Sequence, residues 1–210
     1  ADTLSQLHAL PIIHKDIQPS HIIINPETQE VKLTYFEITL SLPFEYPFLE
    51  NHHVIAGTLS YMSPEQTGRM NHYLDHRSDL YSLGVTFYQI LTGQLPFTST
   101  DPLALIHSHL AEIPPSPHDI CPSIPFGVSD LILKLLAKRP EDRYQTAEGL
   151  KHDLDHCAQQ YQQQGTVTSF ILGQRDRASS LILSQKLYGR DQPVQTLLDH
   201  FHHICDGSTA

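Results

Sequence analysis

The segment Ser78 to Thr92, SDLYSLGVTFYQILT, is the strongest constraint on what this chain folds into. Asp79 is its single charged residue, and apolar or aromatic side chains fall on every side of a 3.6-residue spiral. Such a helix requires protein around most of its circumference, because a solvated face would be polar. Gly93 is suited to end it in a left-handed conformation, and Pro96 blocks its continuation. The remaining chain must therefore supply a helical surround. Residues 128–138 place Val128, Leu131, Ile132, Leu135 and Leu136 at i, i+3, i+4, i+7 and i+8, an amphipathic stripe. Asp130 and Lys134 fall beside that stripe as an outward i,i+4 pair. Residues 101–112 open with Asp101 at an N-cap and Pro102 at the first helical position. Thr146 to Gln160 reads as another helix, and Gln159–Gln164 as a polar exit from it.

Strand potential is confined to the beginning. Residues 4–10 read as the end of a helix stopped by Pro11. Asn25-Pro26-Glu27-Thr28 is a turn signal between two short β-rich runs, so 22–36 reads as a hairpin. Thr39 to Gly57 loses periodicity and reads as a long surface loop. A linker is expected over 159–186, and a fresh pattern with a helix from Val194 to Ile204 follows.

Composition excludes several classes. The chain is 40% hydrophobic and 17% charged, enough for a buried core. Lys plus Arg number 13 against 23 Asp plus Glu, a net charge of -10, which argues against nucleic acid and anionic membrane as partners. No run of ~18 apolar residues and no signal pattern is present, so a soluble, cytoplasmic protein is expected. Cys121, Cys157 and Cys205 form no CxxC pair and suggest a reducing compartment. The i,i+4 pair His152 and His156 lacks the glutamate of HExxH and reads as solvated helix surface, as do His107, His109 and the cluster His200, His202 and His203. No metal site is expected.

The chemistry-bearing stretch is IIHKDIQPSHIII, followed nineteen residues after Asp16 by TYFEI, then GTLSYMSPEQ, DLYSLGVTFYQILTGQLPF and RPEDRY. In this order and spacing the set resembles the C-terminal lobe of a eukaryotic-type Ser/Thr protein kinase. It is most similar to the kinase-like domain of large bacterial multidomain signalling kinases, in which a P-loop ATPase module follows. The resemblance implies a mainly α (α+β) fold with a short β-hairpin over 1–158, a linker over 159–186, and at 187–210 the start of an ATPase module, on LYGRDQPVQTLLDHF. It also implies that the N-lobe, with its Gly-rich loop and strand lysine, would precede Ala1, leaving one wall of the ATP cleft here.

Phosphoryl transfer asks a protein to position groups and neutralise charge. On the family pattern His14-Lys15-Asp16 matches H-R-D, and Asp16 is the candidate catalytic base. Gln18 replaces the lysine that faces the transferring phosphate, His21 stands at the metal-binding asparagine, and Tyr35-Phe36-Glu37 replaces D-F-G. Mg²⁺ is a hard ion that wants oxygen at octahedral geometry, and neither an imidazole nor a neutral phenol suits it. If the chain is extended here, Glu37 shares a face with Tyr35 and offers a carboxylate in its stead. The implied scaffold is better kept. Glu65 of Ser63-Pro64-Glu65 matches A-P-E, Arg143 matches its arginine partner, Asp79 matches the residue that holds the catalytic loop, and His14 matches a core histidine. Retained scaffold beside altered chemistry implies a pseudokinase-like signalling module with no cofactor, contacting its own downstream domains or a client protein. The alternatives are an ATP- and Mg²⁺-dependent Ser/Thr kinase with Asp16 as base once the domain is complete, and a remnant without function of its own. Thr58 and Ser60 are candidate phosphorylation positions in the activation segment, though Lys15 is a weaker phosphate partner than arginine.

Overall fold

Helix α2, Arg77–Thr92, is the axis on which the other elements pack, and eleven of its sixteen residues are buried. Its polar side chains are satisfied locally: the Ser82 hydroxyl donates to the Ser78 and Tyr61 carbonyls, and Thr86 to those of Ser82 and Ile17. That is how a mostly buried helix carries serine and threonine at no unpaired cost, while Ile90 and Leu91 of its last turn are exposed. It ends at Gly93, whose φ of 77° is the left-handed conformation that glycine adopts without strain.

The computed structural model describes residues 1–10, 12–41, 57–70 and 72–177, with Ala1–Arg177 as one unit. Helix α1 (Asp2–His8) leads to β1 (Ile12–Ile13), then β2 (Ile22–Ile24) and β3 (Val31–Leu33), then β4 (Leu40–Ser41). After α2 come α3 (Pro102–Ala111), α4 (Pro117–Ile120), α5 (Phe126–Leu135) and α6 (Ala147–Gln164). Fold class is as expected: a mainly helical lobe with a small hairpin. β2 and β3 pair antiparallel with Ile23 opposite Lys32, and the Asn25 side chain accepts from the amides of Glu27 and Thr28 to close the turn. Asp101 caps α3 through the Leu103 amide, and Thr146 caps α6 through the Gly149 amide.

Helix α5 lies against α2 at a point where α2 has no side chain. A Cβ on Gly84 would fall 2.7 Å from the Leu135 Cβ, so only glycine permits this approach. The stripe residues Leu131, Ile132, Leu135 and Leu136 are all buried, with Val128 packed beside them. They divide between two clusters: one gathers Ile17, Leu80, Tyr144 and Leu150, the other Tyr61, Tyr81, Val85 and Tyr88.

Three expectations are corrected. Asp130 accepts from the Ser169 hydroxyl and not from Lys134, whose ammonium lies over the Tyr144 ring. The stretch expected as loop from Thr39 begins instead with β4, which pairs with β1 through Ile12 opposite Ser41. The glutamine-rich residues 159–164 continue α6 to Gly165, and the following residues to Arg177 belong to the lobe, so the linker does not begin at 159. Val167 is buried, and its carbonyl accepts from the Gly127 amide. Polar glutamines suit a solvated helix end as well as a coil, and a docked segment needs only a few apolar residues. Pro11, most of the 39–57 loop, residues 178–186, the ATPase fragment at 187–210, Cys205 and the histidines at 200–203 lie outside the described residues.

Candidate functional site

Asp79, fully buried at the start of α2, accepts from the backbone amides of His14 (2.9 Å) and Lys15 (2.8 Å) and from His8 Nε2 (2.9 Å). One carboxylate thus holds the loop between β1 and β2 in place. The grip matters because Lys15 has a φ of 72°, unusual for a residue with a Cβ. The His14 ring donates from Nε2 to the Thr34 carbonyl at 2.9 Å, which leaves Nδ1 as acceptor for the Asp16 amide at 3.3 Å. His14 is fully buried, and Phe36 meets it edge-on at 4.9 Å.

The Asp16 carboxylate is fixed from two sides. Oδ1 accepts from the Thr58 amide at 3.1 Å; Oδ2 accepts from Gln18 Nε2 at 3.2 Å and from the Thr58 hydroxyl at 3.4 Å. Gln18 Nε2 also lies 2.8 Å from the Thr58 hydroxyl oxygen. Gln18 therefore offers Asp16 a neutral donor where the family pattern has a cation. Gly57, at φ 113°, lets the segment carrying Thr58 approach, since a Cβ there would sit 3.2 Å from the Lys15 carbonyl oxygen.

His21 donates from Nδ1 to the Asp16 carbonyl at 2.8 Å, and its ring is stacked on Tyr35, 4.5 Å between centroids and 3° from parallel. Tyr35 is more than half exposed and has a φ of 70°. That left-handed residue breaks the extended alternation on which the Glu37 substitution depended, and Glu37 is exposed in the turn that follows.

The scaffold pair is deeper. Arg143 donates from Nη1 to Glu65 Oε1 at 2.7 Å and from Nη2 to Oε2 at 2.8 Å. The Ser78 hydroxyl adds 2.6 Å to Oε1, and Arg143 is spent further on the carbonyls of Ala137, Lys138 and Arg77. Burial alone would raise the Glu65 carboxyl; the guanidinium and the hydroxyl outweigh it and hold it below its ordinary value. From the next residue, Gln66 Nε2 reaches the Lys15 carbonyl at 2.9 Å. The loop at 14–18, the 63–67 turn and the Arg143 loop are thus tied through consecutive side chains.

The protein kinase domain model matches residues 1–154. The chain belongs to the protein kinase domain family. This kinase lobe is 39% identical over 172 residues to hybrid signal transduction histidine kinase G of Dictyostelium discoideum, covering 72% of the chain and 5% of that protein. It is 40% identical to serine/threonine-protein kinase pkn3 of Myxococcus xanthus (72% of the chain, 28% of the relative). The value for serine/threonine-protein kinase PknB of Mycobacterium tuberculosis is 37% (70% and 23%). The chain spans less than a third of the length of each.

Reading the sequence missed one buried group of the kinase lobe. His109, expected at the surface, is 1% exposed, and its Nδ1 lies 2.9 Å from the Tyr81 hydroxyl behind the 59–61 turn. Burial, with Lys138 adding like charge, lowers its pKa to about 4. Its signal was the i,i+4 partner Leu105, also buried on α3, against the exposed His107. His152 stays partly exposed beside Asp153, and His156 packs edge-on to Phe170. Among the described residues no group of three or more His, Cys, Asp or Glu side chains converges as a metal site, and no helix is long and apolar enough to cross a membrane. Beside Phe36 an apolar depression of about 320 Å³ is lined by Leu7, Leu10 and Leu33 with Thr3, Gln6 and Lys32.

Proposed function

We propose that this kinase lobe is a signalling module that works through protein contacts, in which the phosphoryl-transfer site has lost its metal. The observation that carries the reading is the His21–Tyr35 stack, which fills the two positions that the family pattern reserves for metal ligands. His21 Nδ1 is committed to the Asp16 carbonyl, and Tyr35 presents a neutral phenol, so these donors do not fit Mg²⁺. Among the described residues Asp16 is the carboxylate that remains at the matched positions, and a lone carboxylate is a weak Mg²⁺ anchor without substrate phosphates. Contacts to downstream domains of the same polypeptide or to a client protein supply the partner in this reading, and the net charge of -10 disfavours a polyanion.

A second reading rests on Asp16 itself. Its carboxylate is oriented by Thr58 and Gln18 as a general base should be, which favours an ATP-dependent Ser/Thr kinase when the domain is complete. Transfer of labelled γ-phosphate by the full-length protein and by its Asp16→Ala variant separates the two. Equal, background-level transfer supports the non-catalytic module; transfer that drops on substitution rejects it.

A further inference from the structure

Downstream of α6 the chain does not leave the lobe. After Gly165 it turns back, and residues 166–177 run across α5 and the first turns of α6 as a strap. Val167 is buried, and Phe170 and Leu172 pack against the main core. The polar contacts are regular. The Gly127 amide donates to the Val167 carbonyl at 3.1 Å, the Thr168 amide to Gln160 Oε1 at 2.9 Å, and the Gly173 amide to Asp153 Oδ2 at 2.6 Å. Asp153, itself buried, also accepts from the Tyr144 hydroxyl at 2.7 Å.

The strap ends on one carboxylate. Asp176 Oδ2 accepts from the Gln145 amide at 2.5 Å; Oδ1 accepts from the Thr146 amide at 2.9 Å and the Thr146 hydroxyl at 2.8 Å. These donors lie just before the first turn of α6, where a negative charge is favoured. Two glycines of the lobe mark the crossing. A Cβ on Gly127 would lie 2.5 Å from the Thr168 carbonyl oxygen, and one on Gly149 would lie 2.3 Å from Asp176 Oδ1. The lobe surface is shaped to receive this segment.

What Asp176 holds is not an isolated turn. Gln145 accepts from Arg77 Nη1 through its side chain at 2.8 Å and from His76 Nε2 through its carbonyl at 2.8 Å. Two residues before it is Arg143, bound to Glu65, whose neighbour Gln66 holds the Lys15 carbonyl beside Asp16. We propose that the 166–177 strap is a latch that couples the chain leaving the lobe to the catalytic loop, through Asp176, the 143–146 loop and the Glu65–Gln66 turn. The strap supplies the two-state element that such coupling needs, docked or released, and tension or binding downstream of Arg177 selects between the states. This goes beyond the choice between catalyst and non-catalytic module, since both would use the same loop.

Hydrogen exchange on the whole 210-residue chain tests it, comparing Asp176→Ala and Gly149→Ala with the unaltered protein. Gly149→Ala favours helix locally, so a loosened strap there reports a collision with Asp176 and not a weakened α6. We expect exchange over 166–177 and at Gln145 and Thr146 to rise at least tenfold in both variants, and exchange over residues 14–18 to rise about two- to fivefold, while α2 stays protected. If Asp176→Ala strips protection from α2, Asp176→Asn, which keeps the shape and one acceptor, is read in its place. A strap that exchanges at the free-peptide rate in the unaltered protein overturns the latch. So does a strap that loosens with no change at 14–18, which leaves a docked tail without coupling.

Discussion

The two ends of the Lys15–Gln66 hydrogen bond belong to regions under different rules. On the inner side, Glu65, Arg143, Asp79 and Ser78 are buried and every charged atom has a partner. On the outer side, Gln18, His21 and Tyr35 depart from the family pattern, and Tyr35 is more than half exposed. Removing one member of a buried ion pair strands its partner charge and costs several kcal/mol, so such a pair resists change whatever the site does. An exposed neutral side chain such as Tyr35 strands no charge when it changes and carries no comparable penalty. Intact scaffold therefore says that the lobe folds; it says nothing of whether it turns over.

The largest effect that would break this contrast is on the inner side. Arg143→Ala should destabilise the lobe by about 3–5 kcal/mol, a fall in melting temperature of order 10 °C. An unchanged melting curve would show the pair contributes nothing. Acid should reveal a second buried group. The folded pKa of His109 is lowered to about 4 from an ordinary 6.5, so the unfolded chain binds the extra proton between those values. Stability is fully present above pH 6.5 and falls by up to about 3 kcal/mol as pH drops toward 4. His109→Phe should flatten that slope by about one proton in denaturant titrations at stepped pH. Glu65, held low, adds to the loss only below its ordinary carboxylate range, so the two windows separate. Asp79→Asn comes next, at about 2 kcal/mol, because one of the two loop amides loses its acceptor and the other keeps only a neutral one; amide exchange at His14 and Lys15 is the readout. The smallest effect is expected on the outer side. Tyr35→Phe keeps the stack and should change stability by less than about 0.5 kcal/mol. The double change His21→Asn with Tyr35→Asp should make millimolar Mg²⁺ raise the melting temperature, by an amount worth about 1 kcal/mol, where the unaltered protein shows no response. A response already present in the unaltered protein would erase the distinction between the regions.

Much of the helical frame was legible because its signals are local. Asp101 before Pro102, Gly93 after Thr92 and the Leu131–Leu136 stripe each act within a turn or two, and each is found where its spacing puts it. The site residues were legible only as a set, since Asp16, Glu65, Asp79 and Arg143 are held by contacts spanning 42 to 78 positions. What was hidden depends on distant partners that no short window contains. β4 exists because Ile12 and Ile13 lie opposite it. His109 looks polar until Tyr81 and the 59–61 turn close over it. The strap reads as linker because its recognition is carried by two absent side chains, at Gly127 and Gly149, and by a single aspartate.

Gly84 has a consequence for how the lobe can move. With the Leu135 side chain set against bare backbone at Gly84, α2 and α5 approach closely, and neither can roll there without driving a methylene into a main chain. The two helices must travel as one block. Any rearrangement at Asp16 is then left to the segments at the block's margins, a hinge problem for loops on a rigid plinth.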